Sequence, residues 1–274
     1  MVEASQTRMS PIASASTDVW SNVRVILTDI DDTLTTHGRV TADAYTALEN
    51  LRAAGVLIIP VTGRPAGWCD LIARAWPVDA VVGENGAFYF RYDERRRRMI
   101  RVSADSEVER REKRKRLDAL ATKILHNVPG SAISADQAYR QADLAIDFCE
   151  DVPPLSDAAI AAITDAFKSE GATAKISSIH VNGWFGAYDK LTMTRRLLAE
   201  AFSIDIDRHN DLIVFVGDSP NDSPMFGHFV KSVGVSNVRT LADRCEWLPA
   251  YVTHSPQGRG FAELAATILK SRAI

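Results

Sequence analysis

Three short segments of the 274-residue chain gather side chains that could do chemistry together: Thr28-Asp29-Ile30-Asp31-Asp32-Thr33, Thr62-Gly63-Arg64 and Gly217-Asp218-Ser219-Pro220-Asn221-Asp222, with Lys190 between the last two. Four or more carboxylates brought to one place repel each other and call for a cation. Oxygen-only donors suit Mg²⁺, which takes one or two carboxylates alongside phosphate oxygens and water. A phosphate in turn needs donors, and the Thr62 hydroxyl, the N–H groups near Thr62 and Gly63, and the Lys190 ammonium can supply them. A carboxylate held beside phosphorus makes an aspartyl-phosphate accessible. The second Asp of an Asp-x-Asp pair lies near enough to protonate a leaving oxygen and then to activate water.

Each segment follows a run that reads as a strand. Residues 23–28 (VRVILT), 56–61 (VLIIPV) and 212–216 (LIVFV) are apolar on both faces, as strands covered from both sides are, and 80–83 adds a shorter one. Helices are predicted between them: one capped by Thr41 and ending at Gly55, one with Pro65 in its first turn, one beginning at Lys190, and a last one carrying Phe261, Leu264, Ala265 and Ile268 on a single face. The alternation predicts an α/β fold with a doubly wound, Rossmann-like parallel sheet, whose ligands bind beyond the carboxyl ends of the strands. The middle of the chain reads differently: a hairpin from 87–92 and 99–102 around a charged turn, a charged helix over about 105–126, a strand near 144–149, a helix ending at Gly171 and a strand at 176–181. The expected organisation is a flexible tail at 1–20, a catalytic core from 21–87 and 187–274, and an inserted smaller α+β cap domain at 88–186.

In order along the chain, DIDDT, VTGR, the lysine of Tyr188-Asp189-Lys190, and GDSPND resemble the four motifs of the haloacid dehalogenase-like (HAD) phosphohydrolases. The insert between the second and third motifs, with Gly83-Glu84-Asn85-Gly86 before it, is similar to the type II subfamily with a C2-type, IIB-like cap. The resemblance covers the core. It implies that Asp29 is the nucleophile and Asp31 the general acid/base, and that Thr62 and Lys190 bind the transferring phosphoryl group. It also implies that Asp29, the backbone carbonyl of Asp31, and Asp218 hold Mg²⁺, with Asp222 as a further carboxylate. Gly63, Arg64, Asn85 and Asn221 fall nearer the substrate. One position departs from the pattern: type II members often carry Gly where this chain has Asp32, a change that removes no catalytic group. The implied activity is Mg²⁺-dependent hydrolysis of a small phosphorylated metabolite, a sugar or polyol phosphomonoester, through a phospho-aspartate. A phosphotransferase or phosphomutase of the same superfamily is the enzymatic alternative. A phospho-aspartate signalling protein is the alternative of another class, and the Asp-x-Asp spacing and cap-sized insert speak against it.

The net charge of −3 hides an asymmetry: residues 91–116 carry twelve Lys/Arg against six Asp/Glu. A solvated hairpin tip and helix face is the expected reading, with attraction of phosphate esters as its functional version; the mild overall acidity argues against nucleic acid as a partner. No apolar run approaches the roughly 20 residues of a membrane span. Three scattered cysteines without zinc or redox spacing fit reduced thiols in a cytoplasmic protein. The first 20 residues, rich in Ser, Ala and Thr, match neither a signal nor a transit peptide.

Overall fold

The computed structural model describes residues 9–272. Six strands lie parallel in the order Ser10–Pro11, Tyr251–Val252, Lys231–Gly234, Ile213–Gly217, Val25–Thr28 and Leu57–Pro60. A parallel bridge between Val61 and Val82 carries the sheet on to Val81–Gly83, and the antiparallel strands Phe88–Asp93 and Arg98–Ser103 complete it. Val216 pairs with Thr28 and Thr28 with Pro60, so the motif-bearing strands end level at one edge.

The central strands are apolar on both faces because helices cover both. Val25, Leu27 and Phe215 pack with Met193, Leu197 and Phe229 on one side. Ile26, Val214 and Val216 pack with Leu48, Leu51, Leu264 and Ile268 on the other. This is the α/β, doubly wound arrangement that the sequence predicts.

A third hydrophobic cluster belongs to the insert. Helices Glu107–Asn127 and Asp157–Ser169 lie on a four-stranded antiparallel sheet ordered Thr173–Ile176, His180–Trp184, Leu144–Asp147 and Ala132–Ile133. Leu117, Ile124, Leu144, Ile146, Phe167 and Val181 form its core. Side chains alternate across a strand. With Val181 packed against the helices, His180 and Asn182 are left on the face that meets the catalytic core.

Three expectations change. Residues 9–20 are not a free tail: Ser10–Pro11 adds a strand, Thr17–Ser21 forms a helical turn capped by Ser16, and Ile12 and Trp20 are buried. Two large apolar side chains outweigh the polar composition around them; the part of that expectation on residues 1–8 lies outside the described residues. The hairpin from 88 to 103, expected within the cap at 88–186, packs with the core instead. Phe88 and Phe90 join one side of the core, and Tyr89, Ile100 and Val102 the other.

The basic stretch divides accordingly. Phe88–Asp93 runs away from the motif-bearing edge, so the Arg-rich turn lies at the opposite end of the sheet, beside Arg52 and Asp79. It cannot draw esters to a site at the carboxyl edge. On helix Glu107–Asn127 the cations pair locally: Lys113 with Asp105 at 2.6 Å, Arg114 with Asp118 at 3.1 Å and Lys115 with Glu112 at 2.8 Å.

Candidate active site

Each strand end passes into a loop tied down by its own side chains. Asp29 N–H donates to the Val216 carbonyl at 2.9 Å, placing the carboxylate where the strand leaves the sheet. Asp32 follows at φ +54°, in the left-handed region that glycine prefers and Asp tolerates. Three contacts hold it there: its N–H donates to Thr35 Oγ1 (3.1 Å), its carbonyl accepts from Asn237 Nδ2 (3.1 Å), and its carboxylate accepts from Gln257 Nε2 (2.8 Å). That geometry accounts for the departure from glycine at this position. Asn237 Nδ2 also donates to Asp218 Oδ2 at 2.9 Å, linking the first motif loop to the fourth.

Gly217 ends its strand because a Cβ there would lie 2.4 Å from Asp222 Oδ2. That oxygen accepts from the N–H groups of Asp218 (3.0 Å) and Ser219 (3.3 Å), closing the turn, while Asp222 Oδ1 accepts from Lys190 Nζ at 2.6 Å. Lys190 starts a helix capped by Asp189. Gly86, at φ +105°, lets the preceding turn press onto the Asp189 carbonyl, which a Cβ would approach to 2.0 Å. Lys190 Nζ is also 2.8 Å from Asp29 Oδ1. Asp29, Asp218 and Asp222 thus place carboxylate oxygens within 4.8 Å of one another, with one ammonium among them.

Three buried carboxylates against one ammonium leave negative charge uncompensated. Burial pushes the Asp29 carboxyl up to about 8, with Lys190 opposing and Asp222 and Asp31 adding to the rise. Asp218 is pushed well above the carboxylate range by burial, then by Asp29 and Asp222. Burial works against the Lys190 ammonium, but Asp222 and Asp29 outweigh it and raise its pKa. A hard divalent cation fits this donor set, because it supplies the missing charge to oxygen ligands. Asp31 directs its side chain elsewhere: Arg64 Nε lies 2.9 and 3.0 Å from its two oxygens.

Thr62 is fully buried and its Oγ1 accepts from Arg64 N–H at 3.0 Å, shaping the turn. Gly63, Arg64 and Asn221 border the same cleft as Asp29 and Asp31. Asn85 instead sits behind Gly63, buried, with both side-chain polar atoms unpartnered. The cap supplies the opposite wall through His180, Asn182 and Arg140, while Trp184 packs into the core and donates to the Tyr188 carbonyl.

The contact between core and cap is a network of buried ions. Arg64 reaches Glu150 at 2.8 Å and Asp136 at 3.4 Å. Arg140 bonds Asp136 at 2.9 Å, Asp143 at 3.0 Å and the Gly63 carbonyl at 2.8 Å. From the core, the Glu84 carboxylate accepts the N–H groups of Gln141, Ala142 and Asp143, and that of Ala66 at the start of a core helix. Burial and then Asp143 push Glu84 up to about 7, against Arg140 and those backbone donors. Sequence reasoning does not find Asp136, Arg140, Glu150, Asn237 or Gln257, because no spacing rule links them to the motifs. Glu84 was visible only as part of its Gly-Glu-Asn-Gly turn.

Residues 26–111 match the family model of haloacid dehalogenase-like hydrolases. No curated protein matches the chain. Among solved structures, the chain is similar to the C-terminal domain of trehalose-6-phosphate phosphatase from C. albicans (TM-score 0.68, 13% identity, covering 96% of this chain and 99% of that one). It is also similar to the sucrose-phosphatase from Synechocystis (0.62, 16%, 89% and 97%) and to a sugar phosphatase of HAD subclass IIB (0.57, 14%, 89% and 96%). At these identities the structural likeness bears on the fold. Residues 26–111, which hold the first two motifs, thus match the haloacid dehalogenase-like hydrolase model, and the chain as a whole shares the fold of these phosphatases.

Proposed function

We propose that the chain is a Mg²⁺-dependent phosphomonoesterase acting on a small phosphorylated metabolite, a sugar or polyol phosphate, through a phospho-aspartate on Asp29. The observation that carries the reading is Lys190 Nζ bonded to both Asp29 (2.8 Å) and Asp222 (2.6 Å), with the Asp218 carboxylate beside them. The phosphatases among the similar structures support the same chemistry.

Asp29, the Asp31 carbonyl and Asp218 would hold Mg²⁺, with Asp222 supporting the group. When bound, the ion offsets the carboxylate charge and that of the phosphoryl oxygens. Lys190 and Thr62 orient the phosphoryl group, and Asn221 and Gly63 border it. In the first step an Asp29 oxygen bonds to phosphorus, the bond from phosphorus to the alcohol oxygen breaks, and Asp31 gives that oxygen a proton. In the second, Asp31 takes a proton from water as the water oxygen bonds to phosphorus, and the phosphorus–Asp29 bond breaks. Arg64, beside Asp31, keeps the acid/base in place. The cap wall excludes bulk water during both steps.

Phosphate release from a panel of sugar and polyol phosphates, with Mg²⁺ and with EDTA, tests the reading. Release should require the ion, and acid quenching during turnover of a ³²P-labelled ester should leave label on the wild-type protein and none on Asp29→Ala. Ion-independent release, or label on the Asp29→Ala protein, would overturn it.

A further inference from the structure

Arg64 is gripped from both domains. Its Nη2 lies 2.8 Å from Asp31 Oδ1 on the core and 2.8 Å from Glu150 Oε1 on the cap. A single guanidinium nitrogen therefore separates the acid/base from a cap carboxylate. The other oxygen of Glu150 lies 2.9 Å from His180 Nε2. An alcohol that takes its proton from Asp31 leaves on this side of the site, toward His180, which borders the cleft, and Glu150, which holds both His180 and Arg64.

The cations on that wall are already engaged. Arg64 faces Asp31, Asp136 and Glu150, and Arg140 faces Asp136 and Asp143. Two guanidiniums thus meet four carboxylates, and Lys190 is held by Asp29 and Asp222. Among the described residues, no cation bordering the cleft is free to receive a second anion. Burial opposes ionisation of Glu150, yet bonds from His180 and Arg64 outweigh it and pull the carboxyl down to about 2, so the negative charge persists. Ser178 Oγ, on the same cleft, is buried without a hydrogen-bond partner, which suits a ligand hydroxyl. Between Asp31 and His180 only about 10 Å³ remains, room for at most one water, while a cavity of about 440 Å³ lies alongside, between Ser178 on the cap and Asp218 and Asn237 on the core.

We infer that Glu150, with His180 and Ser178 beside it, is a charge-selecting subsite for the leaving group, accepting neutral polyhydroxylated alcohols and rejecting those that carry a second anion. The inference rests on the phosphomonoesterase reading and names the class of its substrate. Sugar or polyol hydroxyls can donate to Glu150 in charge-assisted bonds. A carboxylate or second phosphate there would meet Glu150 with no unengaged cation to receive it, and specificity of this kind comes from repulsion as much as from attraction.

The test compares kcat/KM with Mg²⁺ for p-nitrophenyl phosphate, sorbitol 6-phosphate and 6-phosphogluconate, in wild type and Glu150→Gln. The last two esters share a carbon chain and differ at the far end, hydroxymethyl against carboxylate. Wild type should favour the neutral ester by roughly tenfold or more, and Glu150→Gln should narrow the ratio to under about threefold by improving the anionic ester. A wild-type ratio at or below unity, or a ratio unchanged in the variant, overturns the inference. If p-nitrophenyl phosphate is still hydrolysed in that event, the phosphatase reading stands without it. If no ester is hydrolysed, both fall. Should Glu150→Gln fail to fold, the wild-type ratio and Glu150→Asp, which must retain the preference, decide.

Discussion

Two ionic clusters less than one side chain apart are built on different principles. In the core, Asp29, Asp218 and Asp222 surround a single ammonium, and burial holds the Asp29 and Asp218 carboxyls above their usual range. At the core–cap contact, Arg64, Arg140 and Glu84 each make bonds that cross between the domains. The first cluster is short of positive charge and gains by taking a ligand that supplies it. The second is closed upon itself, and its buried pairs hold two domains in register. Carboxylates left short of donors mark where chemistry is to be done, whereas carboxylates tied down by guanidinium and backbone donors mark where two parts are to be held.

Removing one member of each cluster should break that contrast in different currencies. Asp29→Ala should abolish turnover, by about 10⁴-fold or more, while the protein still melts cooperatively, because it loses the nucleophile and relieves crowding; phosphate release and calorimetry together check both halves. Arg140→Ala should act on stability. Its side chain is fully buried, and truncation takes the nearest cation from Asp136 and Asp143, leaving Asp136 to Arg64 at 3.4 Å and Asp143 to the Asn182 amide, a loss of roughly 3–5 kcal/mol measurable by urea unfolding.

Smaller effects sharpen the comparison. Asn237→Ala frees the Asp218 carboxylate and unties the Asp32 loop, so Mg²⁺ affinity by calorimetric titration should fall about 10- to 100-fold with little change in melting. The smallest effect concerns Glu84. Its folded pKa, about 7, exceeds the ordinary carboxylate value. The stability it contributes is therefore complete at acidic pH and is lost as pH rises through neutrality. With saturating Mg²⁺ to hold the core cluster, Tm should decline as pH rises toward 7, and Glu84→Gln should flatten that decline. An identical slope in the variant would assign the pH dependence to other groups.

Much of the core was legible in the residues themselves. Apolar runs ending in Asp29, Thr62 and Asp218 announced strands covered on both faces, and the structure brings those ends level. The cap helices Glu107–Asn127 and Asp157–Ser169 are legible as well, whereas the strand expected at 176–181 is the turn of a hairpin, because Ser177 and Ser178 turn the chain between Thr173–Ile176 and His180–Trp184. Strand Lys231–Gly234 was not legible, because its Lys and Ser interrupt any apolar run although all four residues are buried. The docking of Ile12 and Trp20 was hidden by the Ser and Ala around them. The hairpin at 88–103 is legible as a hairpin, but its packing with the core rather than the cap is not.

These outcomes share a physical origin. Strand and helix periodicity, turn chemistry and the order of the motifs are properties of neighbouring residues, so the sequence alone determines the α/β alternation and which side chains stand at the strand ends. Whether Arg64 meets Glu150, whether Asn237 reaches Asp218, and which domain receives the hairpin depend on contacts between residues tens to hundreds of positions apart. Only the packing of the finished fold brings those groups within bonding distance, and only there does burial turn ordinary carboxylates into a charge deficit on one side of Asp31 and a closed ionic seam on the other.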